Sequence, residues 1–94
     1  MGQLTPELAD AIDKTLSGEI SFEDFVQITL KYSQDLHPPI RSLHEGLAII
    51  LEEYMEFQQE VFKKKPDPVH VMAELGSVAA MCQRLAEDQL LKKE

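Results

Sequence analysis

The sequence predicts an all-α protein, a four-helix bundle that is completed by oligomerisation. Apolar residues recur at steps of three and four through almost the whole chain, which is the spacing of one face of an α-helix. Capping residues and prolines divide this pattern into four segments, and no stretch shows the apolar and polar alternation of a strand. A helical bundle is the architecture that accommodates four such segments.

Length and composition indicate one small globular domain, residues 1–94. Hydrophobic residues make up 44% of the chain, as in proteins that bury a core. The formal net charge of −8 disfavours nucleic acid, whose phosphates require a basic surface. No segment approaches the ~20 apolar residues of a membrane span, and residues 1–7 lack the basic start and apolar run of a signal peptide. We therefore expect a cytoplasmic protein that binds neither nucleic acid nor membrane.

The first two predicted helices form a short hairpin, residues 5–36. Thr5 is a suitable N-cap for the first helix, and Gly18 is placed to end it in the left-handed conformation. Ser21 is the N-cap of the second helix, which should stop before Pro38. The side chains expected in the core are Leu4, Leu8, Ala11, Ile12 and Leu16 of the first helix and Phe22, Phe25, Ile28, Thr29 and Tyr32 of the second.

The third and fourth predicted helices form a longer hairpin, residues 42–91. Ser42 and Glu45 resemble a capping box at the start of the third helix, and Asp67 is the N-cap of the fourth. The two apolar stripes expected in the core are Leu43, Leu47, Ile50, Tyr54, Phe57 and Val61, and Met72, Leu75, Val78, Ala79, Cys82, Leu85 and Ala86. The only cysteine, Cys82, is therefore expected to be buried. Because two short helices supply too little partner surface for these stripes, we expect a homodimer or tetramer.

Carboxylates flank both stripes of the long hairpin. Glu53 lies at the edge of the third-helix stripe, and Glu56 follows one turn later on the same side. Glu74 lies at the margin of the fourth-helix stripe, and Ser77 follows it on the same side. The glutamates of one helix are therefore expected to face those of the other.

The run Glu52-Glu53-Tyr54-Met55-Glu56, followed on the next predicted helix by Glu74-Leu75-Gly76-Ser77, resembles the EExxE and ExxD motifs of the MazG-like all-α nucleoside triphosphate pyrophosphohydrolases. The resemblance covers about half of the chain. It implies a helical bundle whose acidic residues bind Mg²⁺, with Mn²⁺ as an alternative. It also implies a nucleotide substrate, which such enzymes hydrolyse to a monophosphate and pyrophosphate.

The resemblance also implies a role for each matching residue. The implied metal ligands are Glu53, Glu56 and Glu74. Glu52 is implied as the catalytic group that orients or activates the attacking water. Ser77 replaces the last acidic residue of the motif, and its neutral hydroxyl is a weaker ligand for a hard cation. The hydrolytic activity is therefore expected to be retained in full, weakened or lost. Ser77 and His70, one turn before Glu74, are expected to contact the metal ligands or the substrate.

Two other functions are compatible with the sequence. Glutamate is common on exposed helix faces, so the chain is alternatively a non-catalytic oligomeric scaffold or regulatory module. Residues 13–24 can also be aligned with an EF-hand loop, with oxygen side chains at most ligand positions and glycine at the sixth, which would make the protein a calcium binder. Thr15 and Ser17 stand where carboxylates are usual, and Asp24 is shorter than the usual glutamate. A cap, turn and second cap between two helices explain the same residues.

Overall fold

Four α-helices make up the part of the chain that the structure, a computed structural model, describes, residues 4–91. They are α1 (Pro6–Leu16), α2 (Phe22–Leu36), α3 (Leu43–Val61) and α4 (Pro68–Gln89). No strand occurs among these residues. The predicted all-α class is therefore confirmed for residues 4–91. The prediction that residues 1–7 are not a signal peptide falls partly on residues 1–3, which lie outside the described range.

Each helix begins at the cap that the sequence predicted. The side-chain oxygen of the cap accepts a hydrogen bond from a backbone N–H two or three residues ahead, which satisfies one of the free donors of the first turn. These caps are Thr5, Ser21, Ser42 and Asp67. Gly18 follows Ser17, the C-cap of α1, and has a φ of 84°, a left-handed conformation that favours glycine. The Glu45 carboxylate binds the backbone and guanidinium of Arg41, a charge-assisted bidentate contact.

The centre of the fold is α4, which packs against each of the other three helices. One buried cluster joins α1, α2 and α4 through Ala11, Ile12, Phe25 and Ala73. A second joins α2 and α4 through Val26, Leu30, Ala80 and Met81, with Ile49 and Ile50 of α3 packed against it. The α2 and α4 helices run in the same direction, because Phe25 lies beside Gly76 and Ser33 contacts Arg84. The α3 helix returns antiparallel to α4.

The apolar stripe of α3 is largely exposed, so the prediction that it lies in the core was wrong. Leu43 is 52% exposed and Leu47 62%, and Tyr54 and Val61 are exposed as well. Only Ile50 and Phe57 of the stripe are partly buried. Among the described helices α3 packs against α4 alone, and one neighbour can cover only one side of a helix. The rest of the stripe forms an outer apolar face.

The buried face of α4 also differs from its predicted stripe. The buried face is displaced from the predicted stripe by about one residue along the sequence. Its residues are Ala73, Gly76, Ser77, Ala80, Met81 and Arg84. Cys82, predicted to be buried, is exposed, and Leu75 is exposed too. Four of the six buried residues are small, which allows the backbones of the neighbouring helices to approach α4 closely.

Three further residues expected in the core are exposed, Leu16, Phe22 and Ile28. The buried side of α1 consists of Leu8, Ala11 and Ile12, and that of α2 of Phe25, Val26, Thr29 and Leu30. These narrower faces follow from the same arrangement, in which each short helix is covered mainly by α4 and by its hairpin partner.

Candidate functional site

A groove of about 910 Å³ runs between α2 and α3, with α4 as its floor. The groove exists because α2 and α3 both pack on α4 but not on each other. No Cα atom of α2 lies within 8 Å of a Cα atom of α3. Its floor is formed by Ser77, Met81 and Arg84. Ligand pockets commonly enclose about 300–1,000 Å³, so the groove has the size of a small-molecule site.

Three carboxylates converge beside one end of this groove. Glu53 and Glu56 of α3 and Glu74 of α4 each offer an oxygen, and these oxygens lie within 4.8 Å of one another. No other set of three or more His, Cys, Asp or Glu side chains in residues 4–91 comes together in this way. Glu53 and Glu56 also line the groove. The predicted convergence between the third and fourth helices is therefore present, and the role of the three residues as metal ligands stays a prediction.

Glu74 is partly buried between α4 and the carboxylates of α3. Burial raises the pKa of its carboxyl group above the ordinary value, and the negative charges of Glu53 and Glu60 act in the same direction. Its Oε2 atom is buried and accepts no hydrogen bond from any residue between 4 and 91. An unpaired buried acceptor is costly in a folded protein, so this oxygen is suited to a cation or a proton.

The other predicted site residues lie at different depths. Glu52, the predicted water-activating group, is exposed and lines the groove next to Glu53. Ser77 is only 2% exposed and belongs to the groove floor. His70 is exposed, and its Nδ1 lies 3.1 Å from Oδ2 of Asp67, the α4 cap. The structure therefore brings Glu52 and Ser77 to the groove, whereas His70 contacts the start of its own helix.

One feature of the site that sequence reasoning missed is a clamp at the other end of the groove. Arg84, 4% exposed, donates from Nη2 to the carbonyl of Pro38 over 2.6 Å and from Nη1 to Oγ of Ser33. Asp88 Oδ2 accepts from the backbone N–H of Ile40 at 2.8 Å, and Gln89 donates to the carbonyl of Ile40. These contacts fix the α2–α3 connection as the end wall of the groove.

A sequence signal for this clamp does exist. Arg84 lies four residues after Ala80 and seven after Ser77, so it shares their face of α4. It is also the only arginine of that helix. A charged residue on the small-residue face is rarely buried unless it is paired, and here the pair is Asp88, whose Oδ2 lies 4.0 Å from Arg84 Nε.

Glu60 is a second buried charge that the sequence did not indicate. Its carboxylate accepts from Lys63 Nζ at 3.0 Å and from the backbone N–H of Asp67. The Lys63 ammonium group lowers the pKa of Glu60, and the Asp67 N–H acts in the same direction. Glu60 therefore ties the α3–α4 turn together at the margin of the carboxylate cluster.

The segment aligned with an EF-hand is mostly helical or turn. The α1 helix continues through Leu16, and the hydroxyls of Thr15 and Ser17 donate to the carbonyls of Ala11 and Lys14. These contacts are local to α1 and its C-terminal turn. Calcium binding by residues 13–24 stays an untested prediction.

Comparison with protein-family models, with curated proteins and with solved structures found no match. No helix within residues 4–91 is both long and apolar enough to cross a membrane. The carboxylate cluster and the groove beside it are the features of the described structure that resemble a binding site.

Proposed function

We propose that the chain is a divergent MazG-like, Mg²⁺-dependent nucleotide pyrophosphohydrolase that converts a nucleoside triphosphate to the monophosphate and pyrophosphate. The observation that carries the proposal is the convergence of Glu53, Glu56 and Glu74 beside a groove of about 910 Å³. Two of these residues come from the EExxE-like run and one from the ELGS run, so the motif resemblance and the geometry involve the same side chains.

The residues present fit a hard divalent cation. All three candidate ligands are carboxylates, the oxygen donors that Mg²⁺ and Mn²⁺ prefer. Glu74 adds a buried oxygen that no described donor satisfies. A cation there would neutralise the charge that burial and Glu53 make unfavourable on Glu74.

Each residue then has a distinct task. Glu53, Glu56 and Glu74 hold the ion, and the packing of α3 on α4 keeps them together. When bound, Mg²⁺ supplies positive charge that binds the phosphate oxygens of the nucleotide and stabilises the negative charge that develops during phosphoryl transfer. Glu52, exposed at the groove beside the cluster, accepts a hydrogen bond from a water molecule and orients it toward the phosphate.

The rival function is that of a non-catalytic oligomeric scaffold or regulator. The exposed apolar face of α3 favours it, since such a face is typical of an interaction surface. The neutral Ser77 in place of the motif acid also leaves the cluster with one carboxylate fewer than the family. The two functions differ in whether a divalent ion and a nucleotide bind at the groove.

Pyrophosphate release distinguishes these functions. We expect wild-type protein to release pyrophosphate from at least one common nucleoside triphosphate in the presence of Mg²⁺ or Mn²⁺. Because loss of a group that merely supports a ligand costs about 10- to 100-fold, Glu53→Gln should reduce the rate at least about tenfold. Glu23→Gln, at an exposed position in the first turn of α2, is the control. No release from any of the triphosphates would leave the scaffold as the better proposal.

Metal binding can be measured without catalysis. A ligand that binds only the folded state stabilises it by about 2.7 kcal/mol at a hundredfold excess over Kd, so Mg²⁺ or Mn²⁺ should raise the wild-type melting temperature. Glu53→Gln should lose this shift. Because Ser77 is buried, Ser77→Asp should melt at a lower temperature than wild type in EDTA and show a larger metal shift. Equal metal shifts in all three proteins would contradict the metal site.

We also propose that the outer apolar face of α3 joins two copies of the chain. The face is defined by Leu43, Leu47, Leu51, Tyr54, Met55 and Val61, all exposed. A second copy packed on this face would remove these six side chains from water, which is favourable for apolar surface. A standard interface buries ~800 Å² of each partner.

A further inference from the structure

We propose that the end of the groove remote from the carboxylates binds the base and sugar of a single nucleotide, with Tyr32 as the aromatic contact. This inference rests on the proposed function only for the position of the phosphates, at Glu53, Glu56 and Glu74. Three features support the nucleoside end: the direction of the helices, the side chains at that end, and the contacts of Arg84 and Asp88 that hold its end wall.

The direction of the helices fixes which residues lie opposite the carboxylates. Ser33 of α2 contacts Arg84, and the backbone of Gly46 in α3 lies against Leu85. Tyr32 is therefore level with the first turns of α3. Glu53 lies seven residues beyond Gly46, which is about 10 Å further along the helix at 1.5 Å per residue. The groove thus leaves room for a sugar and a base between the carboxylates and its end wall.

The side chains at the remote end suit an aromatic ring. Tyr32, Leu36, Ile49 and Met81 line this part of the groove. Every nucleic-acid base has a π-face that stacks on an aromatic side chain, with little dependence on the identity of the base. Among the described residues that line the groove, Tyr32 is the only phenylalanine, tyrosine or tryptophan, and the other ring that could stack, the imidazole of His37, belongs to the end wall. It is therefore the residue on which a base would stack.

The end wall limits the length of the ligand. His37, Pro38 and Arg41 close the groove, and the Arg84 guanidinium holds the carbonyl of Pro38 at 2.6 Å. Asp88 holds the next turn of the connection through the N–H of Ile40. The Arg84 side chain is 4% exposed, so the wall is anchored to the floor of the groove. A mononucleotide fits on one side of this wall, whereas a polynucleotide would have to pass it and would meet a net charge of −8.

Calorimetry with two ligands tests this inference. The first ligand is an α,β-methylene nucleoside triphosphate, which the proposed reaction cannot cleave, and the second is inorganic tripolyphosphate, both with Mg²⁺. We expect Tyr32→Leu to weaken binding of the nucleotide by about tenfold to a hundredfold, the effect of losing one base stack. Binding of tripolyphosphate should not change. Tyr32→Phe should retain the wild-type affinity, because it keeps the ring.

The second tyrosine provides a matched control. The chain has two tyrosines, and Tyr54 lies on the outer face of α3, where it packs against Phe57. Tyr54→Leu should therefore bind the nucleotide as wild type does. In wild-type protein with isotope-labelled tyrosine, the ring resonances of Tyr32 should shift with the nucleotide but not with tripolyphosphate, and this measurement does not depend on a variant that folds.

The outcomes separate the two proposals. If wild type binds tripolyphosphate and nucleotide equally tightly and the Tyr32 resonances do not move, the nucleoside subsite is wrong and the metal and phosphate site stands. If wild type binds no tripolyphosphate with Mg²⁺ but binds the nucleotide through Tyr32, the groove subsite stands and the proposed phosphate site is wrong. Binding of neither ligand would overturn both.

Discussion

Among the single residues of the site, Glu74 shows a conflict between burial and negative charge. A carboxyl group whose pKa is raised by burial is less stable in its charged form than it would be in water. The folded protein is therefore less stable at neutral pH than it would be with a neutral side chain at this position. Groups whose pKa is perturbed by burial and neighbouring charge occur often at functional sites.

Removing the charge of Glu74 should therefore stabilise the metal-free protein. Because its folded-state pKa is raised, the folded protein binds more protons than the unfolded chain as pH rises from the ordinary value of 4.5, so stability falls over that window. In EDTA we expect Glu74→Gln to melt at a higher temperature than wild type at pH 7 and to show no such gain near pH 3. Thermal melts across this range, with Glu23→Gln as the control, measure it. A lower melting temperature than wild type at pH 7 would contradict the assignment.

At the scale of elements, the approach of α2 to α4 depends on one glycine. A Cβ atom at Gly76 would meet the ring of Phe25, which is 1% exposed and cannot move aside. A Cβ at Gly46 would meet both δ-methyl groups and the Cγ atom of Leu85, whose side chain is flexible and only partly buried. The two helical glycines therefore differ in what their neighbours can accommodate.

The paired substitutions Gly76→Ala and Gly46→Ala test this packing. Both gain about 1 kcal/mol of helix propensity, but overpacking a rigid core typically costs about 1–3 kcal/mol. We expect Gly76→Ala to lower the free energy of unfolding relative to Gly46→Ala, in which the Leu85 side chain can adopt another rotamer. Urea unfolding at equilibrium gives both values. Equal midpoints for the two variants would show that the close contact with Phe25 does not limit the helix approach.

The whole molecule measures 40 × 28 × 18 Å. One side of its α3 helix faces solvent. The α3 helix is covered by α4 but, in the described structure, by neither α1 nor α2. The same arrangement therefore produces both the groove on one flank of α3 and the apolar face on its outside. If two copies associate through that face, the groove of each copy stays open.

The dimer leads to a prediction for two leucines. Sedimentation equilibrium at tens of micromolar should give at least twice the chain mass for wild type. Leu47→Glu combined with Leu51→Glu should give a monomer, because a buried unpaired charge at the interface is costly. The helical circular dichroism should be retained, because both side chains are exposed in the single chain. Leu16→Glu, at an exposed position of α1, is the control. A wild-type monomer at this concentration would overturn the proposal.

Local sequence signals were sufficient to predict the four helices and the residues at which they begin. Thr5, Ser21, Ser42 and Asp67 were identified as caps, and each accepts the expected bond in the structure. Such signals can be read because the cap and the N–H that it accepts are two or three residues apart, so no distant partner is needed. The same local spacing placed Glu53 and Glu56 on one side of α3.

Which side of each helix is buried depends on how the helices pack against one another. Periodicity locates an apolar stripe but does not say whether a neighbour covers it, so Leu47 was expected in the core and lies on the surface. Conversely, Arg84 is buried because the packing of α2 and the following connection on α4 brings Ser33 and the carbonyl of Pro38 to it. Burial depends on contacts between residues more than forty positions apart, and the sequence carries only a weak signal of such pairings.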